Sequence, residues 1–357
     1  MTEVLYRIEE EVSYVSSELV AKVREKLVEF LSRVPEVSSR EEEKVNYSRV
    51  RGGFVSESSM WAPGRIAVVD GGSNIISLNA GFLGIVASLG IIVEGDRVVR
   101  RVVAEPEIVP SNPEELGLYE TLDQIVSVLD KIREAKVFET ATKLLNWNPE
   151  LLIIDGPLIP YGALAKVATE LRIEKTALKR YRGAVIRLHR ESLKTKTSVI
   201  GFVKRPRSKY LREILGFKDI YDHVVLSATL REGEYYPNPP MEVPASPEWF
   251  HELDIVKLVR EVKPKFTFIR MNESLPPFRV DFGHLTRGYA EILNYLYSTR
   301  TRDGIPYVIM KADEEVKITR KLIRELYEDA LHSCIVKYFE KGFHTLIPVL
   351  PEYGGVW

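Results

Sequence analysis

The chain has 357 residues, 45% of them hydrophobic, enough to bury one large core or two closely joined ones. Its 50 basic and 51 acidic side chains nearly cancel, which excludes a bulk positive field and leaves nucleic-acid binding only to a local basic face. One cysteine, Cys334, excludes an intramolecular disulfide and a cysteine-built zinc site, and fits a reducing cytoplasm.

Residues 3–35 read as an amphipathic helix, because Leu5, Ile8, Val12, Val15, Leu19, Val23, Leu27 and Phe30 recur at helical spacing between charges. The first residues lack the basic start and apolar run of a signal peptide. A polar connection follows, and "RIAVVD" then reads as a short buried strand that stops at Asp70. Ile75 to Val93 is long and apolar enough to raise a membrane span. Ser77, Asn79, Ser88 and three glycines argue instead for two buried strands joined at "LNAG" or "LGII". "VEGDRVV" marks a further hairpin turn. Residues 112–148 read as a helix entered at Ser111 or Asn112 with Pro113 early in it. "PELLIIDGPLIP" is a second apolar strand closed by Asp-Gly, followed by a helix over 165–193 and the strand "SVIGFVK".

Residues 205–265 are rich in Pro, Tyr and Trp and read as an insertion. "FTFIRM" and "PPFRVDF" are late strands, and "RGYAEILNYLYSTR" is a helix. A long terminal helix begins at "DEEVKIT". Apolar strands with helices between them imply an α/β sheet covered on both faces. The expected division is an N-terminal helix and linker over 1–60, a main domain over 61–340, and a tail over 341–357.

Asp70 and Asp155 each close an apolar strand and precede a glycine. If the strands are neighbours, both carboxylates meet in one crevice at the strand ends, where ligands gather in open α/β sheets. An ordinary Asp-Gly turn explains one such ending; two shift the balance toward a divalent cation held by hard oxygen donors. Glu139 is the favoured third ligand from the intervening helix, with Glu134 the competitor and Glu120 more distant. Asp313, placed at the start of the terminal helix, is a fourth ligand or a plain N-cap.

Basic residues cluster from Arg172 to Lys209, among them Lys179, Arg180, Arg182, Lys204, Arg205 and Arg207, interleaved with Tyr181, His189 and Tyr210. Few acids interrupt the run and it follows the Asp155 strand, so a phosphate track with aromatics for stacking is preferred to a solvated helix face. Tyr235, Tyr236, Trp249 and Phe250 read first as packing. The helix at 3–35 and the apolar end at Trp357 read either as packing or as contacts with a partner.

In order along the chain, "VVDGG" with its following strands, "LLIIDGPL", "VIGFVKRPRSKYL", "PPFRVDF" and "GIPYVIMKADEEVKIT" resemble the NurA family of archaeal DNA-end-processing nucleases, over Arg65 to Ile335. The resemblance implies an RNase H-like mixed sheet flanked by helices and a Mn²⁺ site, with Mg²⁺ the alternative. It also implies a homodimer that works with the HerA translocase in double-strand-break resection. The implied activities are a 5′ to 3′ exonuclease on DNA and an endonuclease on single strands. Matched by position, the implied metal and catalytic residues are Asp70, Glu139, Asp155 and Asp313, and Lys204 matches a recurring lysine suited to phosphate. Family members often carry histidine near the last position, where this chain has Asp313. A two-metal scheme follows, with ions about 4 Å apart and Asp70 bridging them. Two readings compete with it: a nuclease acting on RNA or hybrids, and an inactive relative that loads a translocase.

Overall fold

The structure is a computed structural model. It describes residues 61–119, 121–158, 172–217, 220–243, 263–317 and 319–340, with the short pieces 21–30, 32, 50, 52–56, 259–260 and 351. Residues 21–30 are helical, as expected. The rest of the expected 3–35 helix, apart from residue 32, lies outside the described residues, as do Glu120, Trp249, Phe250 and Trp357.

Among the described residues ten strands form one sheet: β1 (Gly53–Phe54), β2 (Ile66–Leu78), β3 (Gly81–Glu94), β4 (Arg97–Val103), β5 (Glu107–Val109), β6 (Leu151–Asp155), β7 (Ser198–Val203), β8 (Glu234–Glu242), β9 (Lys265–Ile269) and β10 (Phe278–Phe282). The spatial order is β1-β8-β9-β10-β7-β6-β2-β3-β4, and β5 pairs with β3. β2, β3 and β4 make an antiparallel meander, while β6 and β7 join β2 in parallel. This is the mixed sheet expected of an RNase H-like core. β8 to β10 extend it antiparallel, so the described part of 205–265 contributes β8 to the main sheet. Tyr235 and Tyr236 on β8 are buried, in line with a packing role.

The strand expected to stop at Asp70 continues for another eight residues to Leu78, and the turn with β3 falls at "LNAG". What ends near Asp70 is the neighbour: parallel pairing with β6 runs only from Ile66↔Leu151 to Val69↔Ile154. Beyond that register the β2–β3 hairpin projects past the parallel strands. Asp70 therefore sits at a step in the sheet, where one edge loses its neighbour, and not at a strand end.

Among the described residues five longer helices cover the sheet: α1 (Leu122–Leu144), α2 (Arg172–Ser192), α3 (Tyr289–Ser298), α4 (Tyr307–Val316) and α5 (Arg320–Glu340). The helix expected over 112–148 is divided. Asn112 caps a 3-10 turn at Pro113–Leu118, and Thr121 then starts α1 with a capping box to Gln124. One face of the sheet packs α1 and α2 through Ala67, Val69, Leu152 and Ile154. The other face packs α3 and α4 through Val68, Ile91, Ile153 and Phe282. Lys131 on α1 and Glu174 on α2 form a buried pair at 2.8 Å that holds the two helices together. Among the described residues no helix is long and apolar enough to cross a membrane.

Candidate metal centre

Side chains alternate along a strand, so Asp70 shares a face with Ile66 and Val68, and Asp155 shares that face with Leu151 and Ile153. The two aspartates follow the last parallel pair and so stand side by side. α4 packs on the same face through Val308, Ile309 and Ala312, and Asp313 follows as its seventh residue. The expectation that Asp313 opens the terminal helix is corrected: the chain is helical from Tyr307, breaks at Lys317, and resumes as α5. Arg101 on β4 fastens α4 with a two-pronged bond to Glu315, at 2.6 and 2.7 Å.

One carboxylate oxygen each from Asp70, Asp155 and Asp313 lies within 4.8 Å of the other two. Lys204, just after β7, points to the same place. Its Nζ is 2.6 Å from Asp155 Oδ2 and 3.5 Å from Asp313 Oδ1. Burial, and then the charge of Asp155, push the Asp70 carboxyl up to about 7, against the pull of a 2.6 Å bond from the Gly71 N–H and of Lys204. Asp155 is also raised, burial outweighing the attraction of Lys204. Asp155 and Asp313 both disfavour charge on Asp70, and a divalent cation among the three reverses that electrostatic penalty. All three supply hard oxygen donors, the set that suits Mn²⁺ or Mg²⁺.

A pH dependence follows. A cation must displace the proton from Asp70, so below pH 7 each unit of acid weakens apparent metal affinity by about tenfold. Calorimetric titration with Mn²⁺ is expected to show a dissociation constant that falls from pH 6 to pH 8. Without metal, folded Asp70 binds its proton more tightly than the unfolded chain does. Its stabilising contribution is therefore full below the unfolded value of about 3.9 and is lost as pH rises through about 7.

α1 lies on the opposite face and approaches the step closely because residue 71 is glycine. A Cβ there would stand 2.6 Å from Val137 Cγ2 and 3.0 Å from Arg133 Cγ. The glycine after Asp70 is thus a packing requirement that brings this turn of α1 against the site. Glu134 on that turn is bonded by Arg133 at 2.9 Å, and burial raises its carboxyl, with the charge of Asp155 among the lesser contributors.

The structure does not bring Glu139 to the three aspartates. Its two oxygens accept from Arg180 Nε and Nη2 at 2.8 and 2.7 Å, while Arg180 Nη1 donates to Glu107 at 2.7 Å. Lys136 Nζ lies 2.7 Å from the other Glu107 oxygen, so this network ties α1, α2 and β5 together.

Of the residues expected to meet nucleic acid, Lys179, Arg205 and Arg207 are exposed and Arg182 is half-buried. Arg180 is occupied by Glu107 and Glu139. Tyr181 is corrected: it is fully buried, with its ring 6.0 Å from that of Phe138, because it falls on the apolar face of α2 and cannot stack on a base. His189 is buried on the same face.

The chain matches a family model described as the NurA domain over residues 64–318. No curated protein sequence matches it significantly. Among solved structures it is similar to the NurA nuclease from Sulfolobus solfataricus, with a TM-score of 0.63, 14% identity, and coverage of 88% of this chain and 98% of that one. It is similar to NurA with manganese, with a TM-score of 0.55, 13% identity, and coverage of 90% and 99%. NurA bound to dAMP and manganese aligns with a TM-score of 0.52, 12% identity, and coverage of 87% and 95%. The matched segment runs from two residues before β2 to just past α4, and so contains every strand and helix that supplies Asp70, Asp155, Lys204 and Asp313. On that match, the chain belongs to the NurA family.

Proposed function

We propose that this chain is a metal-dependent nuclease that hydrolyses phosphodiester bonds of DNA. The observation that carries it is the convergence of Asp70, Asp155 and Asp313 from two strands and a helix, with the Lys204 ammonium among them. Solved relatives with manganese, and with manganese and dAMP, support the metal and the nucleotide. A divalent cation bound there supplies an activated water and stabilises charge on the scissile phosphate.

This chain's residues divide the remaining work. Asp70, Asp155 and Asp313 hold the cation. Glu134, on the turn of α1 that packs against Gly71 and outside the group of three aspartates, completes the set as its helical carboxylate. Lys204 balances the carboxylates and is placed to receive a phosphate oxygen. The exposed Arg205 and Arg207 continue from Lys204 and track the backbone beyond the cut. Manganese as the working metal, a two-ion arrangement, exonuclease polarity, a homodimer, and action beside HerA in end resection belong to the same reading.

Purified protein is expected to cut DNA in Mn²⁺, and EDTA is expected to stop it. Equal cutting of matched RNA or hybrid favours the competing substrate class, and no cutting of any substrate favours an inactive regulator. For the basic track, neutralising Arg205 and Arg207 to alanine together is expected to flatten the dependence of log affinity on log salt. The change is roughly 0.7 per residue for single strands and about 0.9 for duplex. An unchanged slope removes them from the track.

A further inference from the structure

β10 reads Phe-Arg-Val-Asp-Phe, and its two charged residues are buried on the face away from the three aspartates. Phe278, Val280 and Phe282 enter the core that also contains α3 and α4, so Arg279 and Asp281 point to the α2 side. Arg279 Nε and Nη2 donate to Asp281 Oδ1 and Oδ2 at 2.7 and 3.0 Å. The Arg279 guanidinium also lies 5.3 Å from the centre of the Tyr210 ring. Tyr210 and Leu211 donate their backbone N–H groups to the buried Asp222, at 2.8 and 3.0 Å. A buried pair of this kind is a weak device for stability, since apolar residues of similar size commonly do as well. Its placement here gives it other work.

Asp281 Oδ2 also accepts the backbone N–H of Leu158 at 3.2 Å. Leu158 closes the turn that leaves Asp155, and β7 lies between that turn and β10. The turn crosses β7 at Gly201, where a Cβ would stand 2.6 Å from both Gly156 O and Leu158 N. Gly156 N donates to Phe202 O at 2.9 Å, which fixes the near end of the turn. Asp155 thus faces the metal side while the peptide that follows it is pinned on the opposite side.

We infer that Asp281, oriented by Arg279, is a positioning residue for the metal-holding carboxylate of Asp155, acting through the 156–158 turn laid over Gly201. The same guanidinium supports Tyr210, at the end of the basic segment that starts at Lys204. One buried ion pair thereby fixes both the carboxylate and the strand exit that carries the lysine. The inference rests on the metal-centre reading given above.

The test compares wild type with Asp281→Asn, with the paired apolar change Arg279→Met and Asp281→Leu, and with Gly201→Ala. The last lifts the turn and leaves every charge in place. Thermal melts establish folding, calorimetry measures Mn²⁺ binding directly, and cleavage is titrated against Mn²⁺. Folded variants are expected to bind Mn²⁺ about 10- to 100-fold more weakly, with half-saturation of cleavage shifted by the same factor. A folded variant, Gly201→Ala included, that melts lower but keeps wild-type Mn²⁺ affinity and half-saturation overturns the inference, because a purely structural pair would behave that way. Wild-type protein that gives no Mn²⁺ heat defeats the metal-centre reading instead, a result distinct from either.

Discussion

Asp70→Asn is expected to abolish cleavage while leaving the protein folded and, without metal at pH 8, more stable. Both effects have one origin. Asp70 is partly buried beside Asp155, and its carboxyl is pushed up to about 7, so at pH 8 the folded protein carries a charge that its surroundings oppose. Asparagine removes that charge and can still accept the Gly71 N–H that now reaches Asp70 Oδ1. A gain of about 1 kcal/mol corresponds to roughly 2–4 °C in a chain of this size. The lost metal ligand costs several kcal/mol of transition-state stabilisation. At about 1.4 kcal/mol per tenfold, the rate falls by at least a thousandfold. Melting curves with and without Mn²⁺ complete the test: wild type is stabilised by the ion, and the variant is not. A folded Asp70→Asn protein that cuts DNA at the wild-type rate removes the proposed function.

The second large effect separates two glutamates on one helix. Glu134→Gln is expected to lower cleavage by about 100-fold and raise the Mn²⁺ requirement, since it withdraws a carboxylate from the side of Asp155. Glu139→Gln is expected to leave cleavage near wild type and to lower stability. It takes the charge from a pair with Arg180 made by two hydrogen bonds. The side chains of Arg180 and Glu139 are 34% and 30% exposed, so solvent screening keeps that loss to about 1 kcal/mol. Steady-state cleavage and melting temperature on the two variants decide the matter. The reversed pattern, with activity lost in Glu139→Gln and kept in Glu134→Gln, returns the ligand role to Glu139.

These two glutamates also show where sequence reasoning runs out. Both lie on the same apolar-faced helix, five residues apart, and nothing in their spacing says which one meets the strand step. The proposal of Glu134 leans on Gly71, whose missing side chain lets Arg133 and Val137 approach, and on Arg180 of another helix, which occupies Glu139. Tyr181 departs from its expected role for a related reason. A tyrosine amid lysines and arginines looks available to a base, but α2 turns it inward against Phe138. Arg279 and Asp281 carry a local signal in "PPFRVDF", since charges at alternate positions of an otherwise apolar strand are the visible sign of a buried pair facing inward.

Local chemistry was enough to establish the two Asp-bearing apolar strands, the meander, the helices between them and the ordered motifs of the family. Periodicity, turn residues and side-chain type are properties of short segments. It was also enough to mark Asp70, Asp155 and Lys204, because acids and a lysine beside apolar strands are conspicuous in the one-dimensional pattern. Tertiary structure alone decided that β2 runs on past Asp70, that Asp313 arrives from the middle of a helix on the same face, and that Glu139 is taken up by Arg180. Those outcomes depend on register between strands and on how closely helices approach the sheet. Both are set by contacts between residues far apart in the chain, which no local pattern encodes.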